Sequence, residues 1–166
     1  MTALPRLSAT DLAAWRAFLR AHAQIVRRLE HDLVTEHDLP LPSYDVLVQL
    51  SEAPDRRLRM TQLAERVLLS RSGLTRLVDR LVRDGLVERQ ACPSDARGTL
   101  AVLTDAGLDR LRSAWPTHLR GVEERFVGRL SVEERGQLEV LMSRLLSADD
   151  PVGGCDEPAG GCGEPS

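Results

Sequence analysis

The stretch SRSGLTRLVDRL, from Ser70 to Leu81, has the pattern of a short amphipathic helix. Serine caps helix N-termini well, and the glycine of Asp84-Gly85 supplies a left-handed helix stop. Aliphatic residues recur at helical spacing and define a buried stripe, formed by Leu74, Leu77, Val78 and Leu81. The opposite side carries arginines and small hydroxyls, so the sequence predicts a helix with a basic outer face.

The basic character extends around this stretch, although the chain as a whole is acidic. The 166 residues have a formal net charge of -3, and every one of the 22 basic residues is arginine. Between Arg56 and Arg97 there are ten arginines and five acidic residues, a local charge of +5 that leaves -8 for the remainder. A basic block in an acidic chain favours a polyanionic partner. On charge alone, a solvated and salt-bridged surface is an equal alternative.

A long amphipathic helix is predicted at roughly residues 8–37. Ser8 and Asp11 have the spacing of a capping box at its start. Pro40 and Pro42 end it, because proline cannot continue a helix.

Ser43 opens a second predicted helix, which stops before Pro54. Residues 57–60 form a candidate short strand, and Thr61 is a candidate cap for a third helix. A tight turn then leads into the helix that begins at Ser70.

After Gly85 the pattern changes from helical to β-type. Residues 86–92 and 99–103 are rich in Val, Leu and Thr, which is typical of strands. The segment PSDARG between them, residues 93–98, is rich in turn formers. The sequence therefore predicts a hairpin with an extended, charged loop at its tip.

Two further helices follow the hairpin. Thr104 caps a long one whose apolar pattern reaches Leu130, with a kink expected at Pro116. Ser131 and Glu134 form a capping box for the last helix.

A helix, a tight turn, a second helix and a hairpin together predict a winged helix-turn-helix. The second helix of such a unit enters the DNA major groove by its N-terminal half. Its candidate DNA-contacting residues are Ser70, Arg71, Ser72, Thr75 and Arg76, with Asp79 on the same outer face. Arg97, at the hairpin tip, is placed to enter the minor groove, and Asp95 to hold the loop by accepting hydrogen bonds. The alternative for the tip is a solvated loop with a local ion pair.

The chain resembles the MarR family of dimeric winged-helix transcription regulators from bacteria. The resemblance runs from about Ser8 to Leu146 and is carried by SRSGLTRLVDRLVRDGLVER, PSDARG and LTDAGLDRL. It implies a homodimer with two recognition helices on a pseudo-palindromic operator of double-stranded DNA, usually acting as a repressor. It also implies a small-molecule pocket between the dimerisation helices and the DNA-binding lobe.

The expected fold class is mainly α with a small β-hairpin wing. We assign residues 8–37 to an N-terminal dimerisation helix and residues 43–103 to the winged helix-turn-helix lobe. Residues 104–147 form the C-terminal dimerisation helices, and residues 148–166 a disordered Gly/Cys/Pro tail. The long apolar stripes outside the lobe exceed what the lobe could cover, which marks a partner surface.

Four residues are candidates for a ligand pocket: Trp15, Phe18 and His22 on one face of the first helix, and Trp115, expected to face inward. Such a pocket would suit a small aromatic or anionic effector. A core or dimer-interface role is the favoured alternative for His22.

No metal or cofactor is expected. Cys92 ends a predicted strand as a packing residue. Cys155 and Cys162 are separated by six residues rather than the two of a CxxC motif, so an inert extension is favoured over a disulfide or thiolate site.

An enzyme is not indicated. His31 and His37, near Glu36, lie six positions apart and so on different helix faces, unlike the i, i+4 pair of a zinc-binding helix. A winged-helix protein-interaction module without DNA binding remains the alternative function. No apolar run approaches the roughly 20 residues of a membrane span and MTALPRLSAT lacks a signal-peptide core, so a cytoplasmic protein is expected.

Overall fold

The computed structural model describes residues 6–67, 70–92 and 95–147, without the side chains of Arg71, Asp95, Ala96, Arg97 and Ser147. The chain divides into two units between Phe126 and Val127. The predicted fold class, mainly α with a small β wing, is confirmed. The elements within the described ranges are α1 Ala9–His37, α2 Leu41–Glu52, β1 Arg57–Arg59, α3 Met60–Arg66, α4 Arg71–Arg83, β2 Val87–Cys92, β3 Asp95–Leu103, α5 Asp105–Arg125 and α6 Val132–Ser147.

Helix α1 begins at the predicted capping box. The Ser8 hydroxyl accepts from the Asp11 amide at 3.1 Å, and the Asp11 carboxylate accepts from the Ser8 amide at 2.8 Å. The helix ends at His37, where Asp38 takes a left-handed conformation with φ 46°. Its buried residues are Leu29 and Leu33, so only the C-terminal part of α1 enters the core.

Two predicted helix starts are wrong by one or two residues. Helix α2 begins at Leu41 rather than Ser43, because Pro42 fits the first turn, where its missing N–H costs nothing. Ser43 is therefore a buried helical residue and not a cap. Helix α3 begins at Met60, before the predicted cap Thr61, and the Gln62 side chain accepts from the Arg59 amide at 3.2 Å.

The helix-turn-helix consists of α3 and α4, which pack through their predicted apolar faces. Leu63 of α3 is fully buried, and Leu74, Val78 and Leu81 of α4 are at most 1% exposed. Leu77 is partly buried against the same core. The predicted stripe of α4 is thus confirmed.

The three strands form an antiparallel sheet in the order β1-β3-β2, which confirms the predicted short strand at residues 57–60 as β1. Leu58 and Arg89 both pair with Ala101, which is buried at the centre of the sheet. Strand β3 begins at Asp95, four residues before the predicted strand at Thr99. Residues 95–98 therefore lie within the bounds of the wing strand, because Asp95 already pairs with Cys92 of β2.

A single core occupies the first unit. Its centre is helix α2, in which Val46, Leu47 and Leu50 have no exposed surface. Helices α3 and α4, the sheet, and parts of α1 and α5 pack around it. The core thereby fixes α4 with one side buried and the other side facing solvent.

Helix α5 is capped as predicted by Thr104, whose hydroxyl accepts from the Gly107 amide at 3.0 Å. It is assigned as helix without interruption through Pro116, so the kink there stays a prediction. The helix ends at Arg125, and the predicted continuation to Leu130 is wrong. A 3-10 turn, Val127–Arg129, follows instead.

Helices α1 and α5 are joined by a polar network. The Thr117 hydroxyl donates to Glu36 at 2.8 Å and lies 2.9 Å from His37 Nε2. Since the hydroxyl has a single proton, His37 must donate to it through Nε2–H. Arg120 donates to the other Glu36 oxygen. A second pair, Arg125 and Asp32 at 2.7 Å, joins the helices near Gly121, where an added β-carbon would lie 2.6 Å from Leu29 Cδ2.

The second unit contains α6 and the turn before it. The predicted capping box is present, since the Ser131 amide donates to Glu134 at 2.8 Å and the Glu134 amide to the Ser131 hydroxyl at 3.2 Å. Arg135 donates to the Val127 carbonyl at 2.7 Å.

Residues 148–166, predicted as a disordered tail, lie outside the described residues. None of the described helices combines the length and the apolar character needed to cross a bilayer.

Candidate nucleic-acid interface

The outer face of α4 is polar from its first turn. The Ser70 hydroxyl accepts from the Gly73 amide at 3.2 Å and lies 3.4 Å from the Ser72 hydroxyl. Ser70, Ser72, Thr75 and Arg76 are exposed, on the side away from the buried stripe. This face offers hydroxyl and guanidinium donors along about one and a half helical turns, which is the chemistry that reads base edges and phosphates.

The arginines of this face lie along the helix. Arg76 Nε donates to the Ser72 carbonyl, and Arg83 Nε to the Asp79 carbonyl, both at 3.4 Å. These contacts use one N–H of each guanidinium, which has five. The helix N-terminus adds unsatisfied amides and a positive dipole end, both of which favour a phosphate.

Asp79, predicted on the same outer face, is already engaged within the protein. Its carboxylate pairs with Arg89 of strand β2 at 2.9 Å. Arg89 was not among the site residues predicted from the sequence. Its position on β2, the first strand after α4, could have indicated that Arg89 lies near the exposed face of that helix.

The wing carries the other predicted contacts, Asp95 and Arg97. Cys92 pairs with Asp95, and Ala91 with Thr99, so β3 holds three more residues between these pairs than β2 does. This bulge places the backbone of Arg97 at the end of the hairpin. The side chains of Arg71, Asp95 and Arg97 are not among those that the structure describes, so their DNA contacts stay predictions.

The four candidate pocket residues lie on the surface of the single chain. Trp15, Phe18 and His22 are stacked along one side of α1, with ring centroids 6.0 Å and 6.4 Å apart. Trp115 is 41% exposed, so the expectation that it faces inward is wrong. The buried side of α5 carries Leu111, Ala114 and Thr117, and Trp115 points away from it.

A concave site missed by the sequence analysis lies between α4 and α5. This cleft has a volume of about 680 Å³. Arg80 and Arg110 supply its positive charge, and Asp38, Asp84 and Asp109 its negative charge. Within the described residues, Arg110 Nε is buried and has no hydrogen-bond partner. Such an atom is suited to an added acceptor.

The polar residues considered for metal binding have structural partners or lie apart. Glu36 and His37 belong to the network that joins α1 to α5, whereas His31 is exposed. Among the described residues, no cluster of three or more His, Cys, Asp or Glu side chains is close enough to hold a metal ion. Cys92 is buried, and Cys155 and Cys162 are outside the described ranges.

Known proteins are similar to this chain in architecture and in sequence. Residues 37–98 match the model of the MarR family. The HTH-type transcriptional regulator YkoM of Bacillus subtilis is 32% identical over 130 residues, which cover 78% of this chain and 82% of the relative.

Two solved structures from Streptomyces coelicolor align over nearly the whole chain. Sco3205, a MarR family transcriptional regulator in complex with DNA, has a TM-score of 0.86 and 37% identity, covering 92% of this chain and 97% of that one. AbsC, also a MarR family transcriptional regulator, has a TM-score of 0.83 and 33% identity, covering 87% and 97% of the respective chains. The winged helix-turn-helix, the sequence relatives and the shared fold agree, and the chain belongs to the MarR family of transcriptional regulators.

Proposed function

We propose that the protein is a homodimeric, sequence-specific DNA-binding transcriptional regulator, a repressor that a small-molecule effector releases from its operator. The observation that carries the proposal is the outer face of α4, where Ser72, Thr75 and Arg76 are exposed opposite the stripe that packs into the core. Sco3205, with the same fold, is a regulator whose structure contains DNA. We assign major-groove contacts to Ser70, Arg71, Ser72, Thr75 and Arg76, and a minor-groove contact to Arg97, with Asp95 shaping the wing.

The exposed apolar surface supports a homodimer. Helix α1 has no buried residue before Leu29, although its N-terminal part presents Trp15, Phe18 and Leu19 to solvent. Helix α6 separately exposes Leu141, Leu145 and Leu146. Apolar surface of this extent normally meets a partner. A two-fold pair of subunits would present two recognition helices to a pseudo-palindromic operator, about 34 Å apart.

We place the effector in the cleft between α4 and α5 rather than at the four aromatic-face candidates, which we assign to the dimer surface. An anionic ligand bound by Arg80 and Arg110 would bridge α4 to α5. It would therefore bias the position of the recognition helix relative to the dimerisation helix. Thermal shift with small aromatic carboxylates, on wild type and Arg110→Gln, tests this placement. Stabilisation of wild type alone supports it, and equal stabilisation of both proteins rejects it.

We further propose that the protein has no catalytic activity and regulates transcription in the cytoplasm, where bacterial DNA is found.

The proposed DNA binding is tested by selection of duplexes by the purified protein from a randomised DNA library, followed by affinity measurements at several salt concentrations. A DNA-binding dimer should select a pseudo-palindrome, and its affinity should fall steeply with salt because phosphate contacts release counterions. An interaction module would enrich no duplex. Sedimentation that returned only single subunits would also reject the proposal.

A further inference from the structure

Asp79 and Arg89 connect α4, the proposed recognition helix, to the wing formed by β2 and β3. The Asp79 carboxylate lies 2.9 Å from a terminal guanidinium nitrogen of Arg89. Asp79 is on α4, three positions after Arg76, and Arg89 is on β2, the first strand of the wing. The pair therefore spans two elements that must contact the same duplex if the proposed DNA binding is correct.

A free carboxylate on this face would oppose DNA binding. Among the base edges of the major groove it can accept only from the amino groups of cytosine and adenine, and it repels phosphates. Here the adjacent guanidinium compensates the charge of Asp79. The same contact occupies the carboxylate that would otherwise be available to a base.

The pair contributes little to the stability of the fold. The side chains of Arg89 and Asp79 are 35% and 52% exposed, and ion pairs of this kind are weak in water. The contribution of the Asp79–Arg89 pair is therefore to the orientation of the two elements rather than to stability. Val87 anchors the start of β2 in the core beside the buried stripe of α4, whereas the Asp79–Arg89 contact adds a restraint on the exposed side of the helix.

We infer that Asp79 is a positioning residue, whose pairing with Arg89 sets the angle between the recognition helix and the wing, and that it does not itself contact DNA. This role rests on the proposed DNA binding.

The test uses the duplex that the wild-type protein selects from the randomised library. The variants are Asp79→Asn, Arg89→Gln, the double variant, and Asp79→Glu, which retains the carboxylate. Each single loss of the pair should weaken binding by about twofold to fivefold, because an exposed pair can bias the angle between helix and wing by no more than its own interaction energy. The double variant should be no weaker than the singles, and Asp79→Glu should bind like wild type.

Two readouts and one control variant separate positioning from other roles. The melting temperature should change by less than about 4 °C, because the pair is exposed. The slope of log affinity against log salt should not change, since neither residue contacts a phosphate. Asp55→Asn, which removes the exposed Asp55–Arg57 pair at 2.6 Å, is the matched control and should bind like wild type.

Tighter or unchanged binding by Asp79→Asn would overturn the inference, because it would show that the carboxylate only repels DNA. Additive losses together with a lower salt slope for Arg89→Gln would also overturn it, since Arg89 would then be an independent phosphate contact. If the wild type selects no duplex at all, the proposed function has failed instead.

Discussion

Gly107 lies directly against the main chain of Leu86. A β-carbon at position 107 would be 2.1 Å from the Leu86 carbonyl oxygen and 2.7 Å from Leu103 Cδ1. Thr104 reinforces the contact, because its hydroxyl donates to the Gly85 carbonyl at 2.8 Å and its amide to the Leu86 carbonyl at 3.2 Å. The first turn of α5 is thus seated on the turn that joins α4 to the wing.

Gly107→Ala should therefore destabilise the protein, because a rigid main-chain oxygen occupies the space that the new methyl group requires. We expect a loss of about 1–3 kcal/mol in the free energy of unfolding, measured by urea denaturation. Gly136→Ala is the control, since position 136 in α6 has no atom within 4 Å of the added carbon. It should stabilise by about 0.5–1 kcal/mol, and equal signs for the two variants would contradict the packing assigned to Gly107.

Thr117→Val should weaken the contact between α1 and α5. Thr117 is 4% exposed, and its hydroxyl serves Glu36 and His37 at once. An isosteric valine removes the hydroxyl that hydrogen-bonds to Glu36 and His37, which should lower the free energy of unfolding by about 1–2 kcal/mol. The exposed Thr35→Val should change stability by less than about 0.5 kcal/mol.

The same variant has a second readout at Glu36. The hydrogen bond from Thr117, followed by that from Arg120, holds the pKa of Glu36 below its usual value. Thr117→Val should raise this pKa, as followed by NMR titration of the Glu36 carboxyl. An unchanged pKa would show that the hydrogen bond from Thr117 does not lower it.

His118 should make the fold sensitive to acid. Its ring stacks on the buried Tyr44 with centroids 4.5 Å apart, and burial lowers its pKa below that of free imidazole. Stability that depends on neutral His118 is present above the unfolded pKa of about 6.5 and is lost as the pH falls through the lower folded pKa. His118→Phe keeps the ring but cannot be protonated, so its melting temperature should fall less than that of wild type between about pH 8 and about pH 5.

Other groups titrate in the same range, so the comparison must be made at each pH. Loss of solvent, together with the charge of Glu30, raises the pKa of Asp45 to about 6. Asp45 is present in both proteins and cancels in the difference between them. His31→Phe, at an exposed position of α1, should follow the wild-type pH dependence. If His118→Phe follows it too, His118 is not the responsible group.

Arg97→Ala should weaken binding to the selected duplex without unfolding the protein. Loss of one minor-groove arginine is expected to reduce affinity by roughly tenfold, or about 1.4 kcal/mol. Electrophoretic mobility shift and circular dichroism provide the two measurements. Arg112→Ala, on α5 and paired with Asp109 at 3.4 Å, should bind normally. Unchanged binding by Arg97→Ala would remove the wing from the proposed interface.

Removal of residues 149–166 should leave the affinity for DNA within about twofold of wild type, because the segment has no aliphatic run that could pack onto the lobe. The segment contains Cys155 and Cys162 in a tandem repeat. A large loss of affinity in fluorescence anisotropy would assign that repeat a function.

Local sequence patterns were sufficient for most elements and for the orientation of the recognition helix. The stripe at Leu74, Val78 and Leu81 predicted which side of α4 is buried, and the boxes at Ser8 and Ser131 marked two helix starts. Errors occurred where neighbouring structure outweighs a local preference. Pro42, predicted to end a helix, occupies a first turn instead. Among the turn formers at residues 95–98, Asp95 pairs with Cys92 of β2, so the strand begins before the predicted position.

The class of fold, the polar side of α4 and the family resemblance could be predicted from the amino-acid sequence, because they depend on periodicity, capping residues and short motifs that are local along the chain. The pairing of Asp79 with Arg89, the exposure of Trp115 and the contact of Gly107 with the turn before the wing are visible only in the folded chain. Each of these depends on how one element docks on another, and the docking is set by the packing of the whole core rather than by neighbours in sequence.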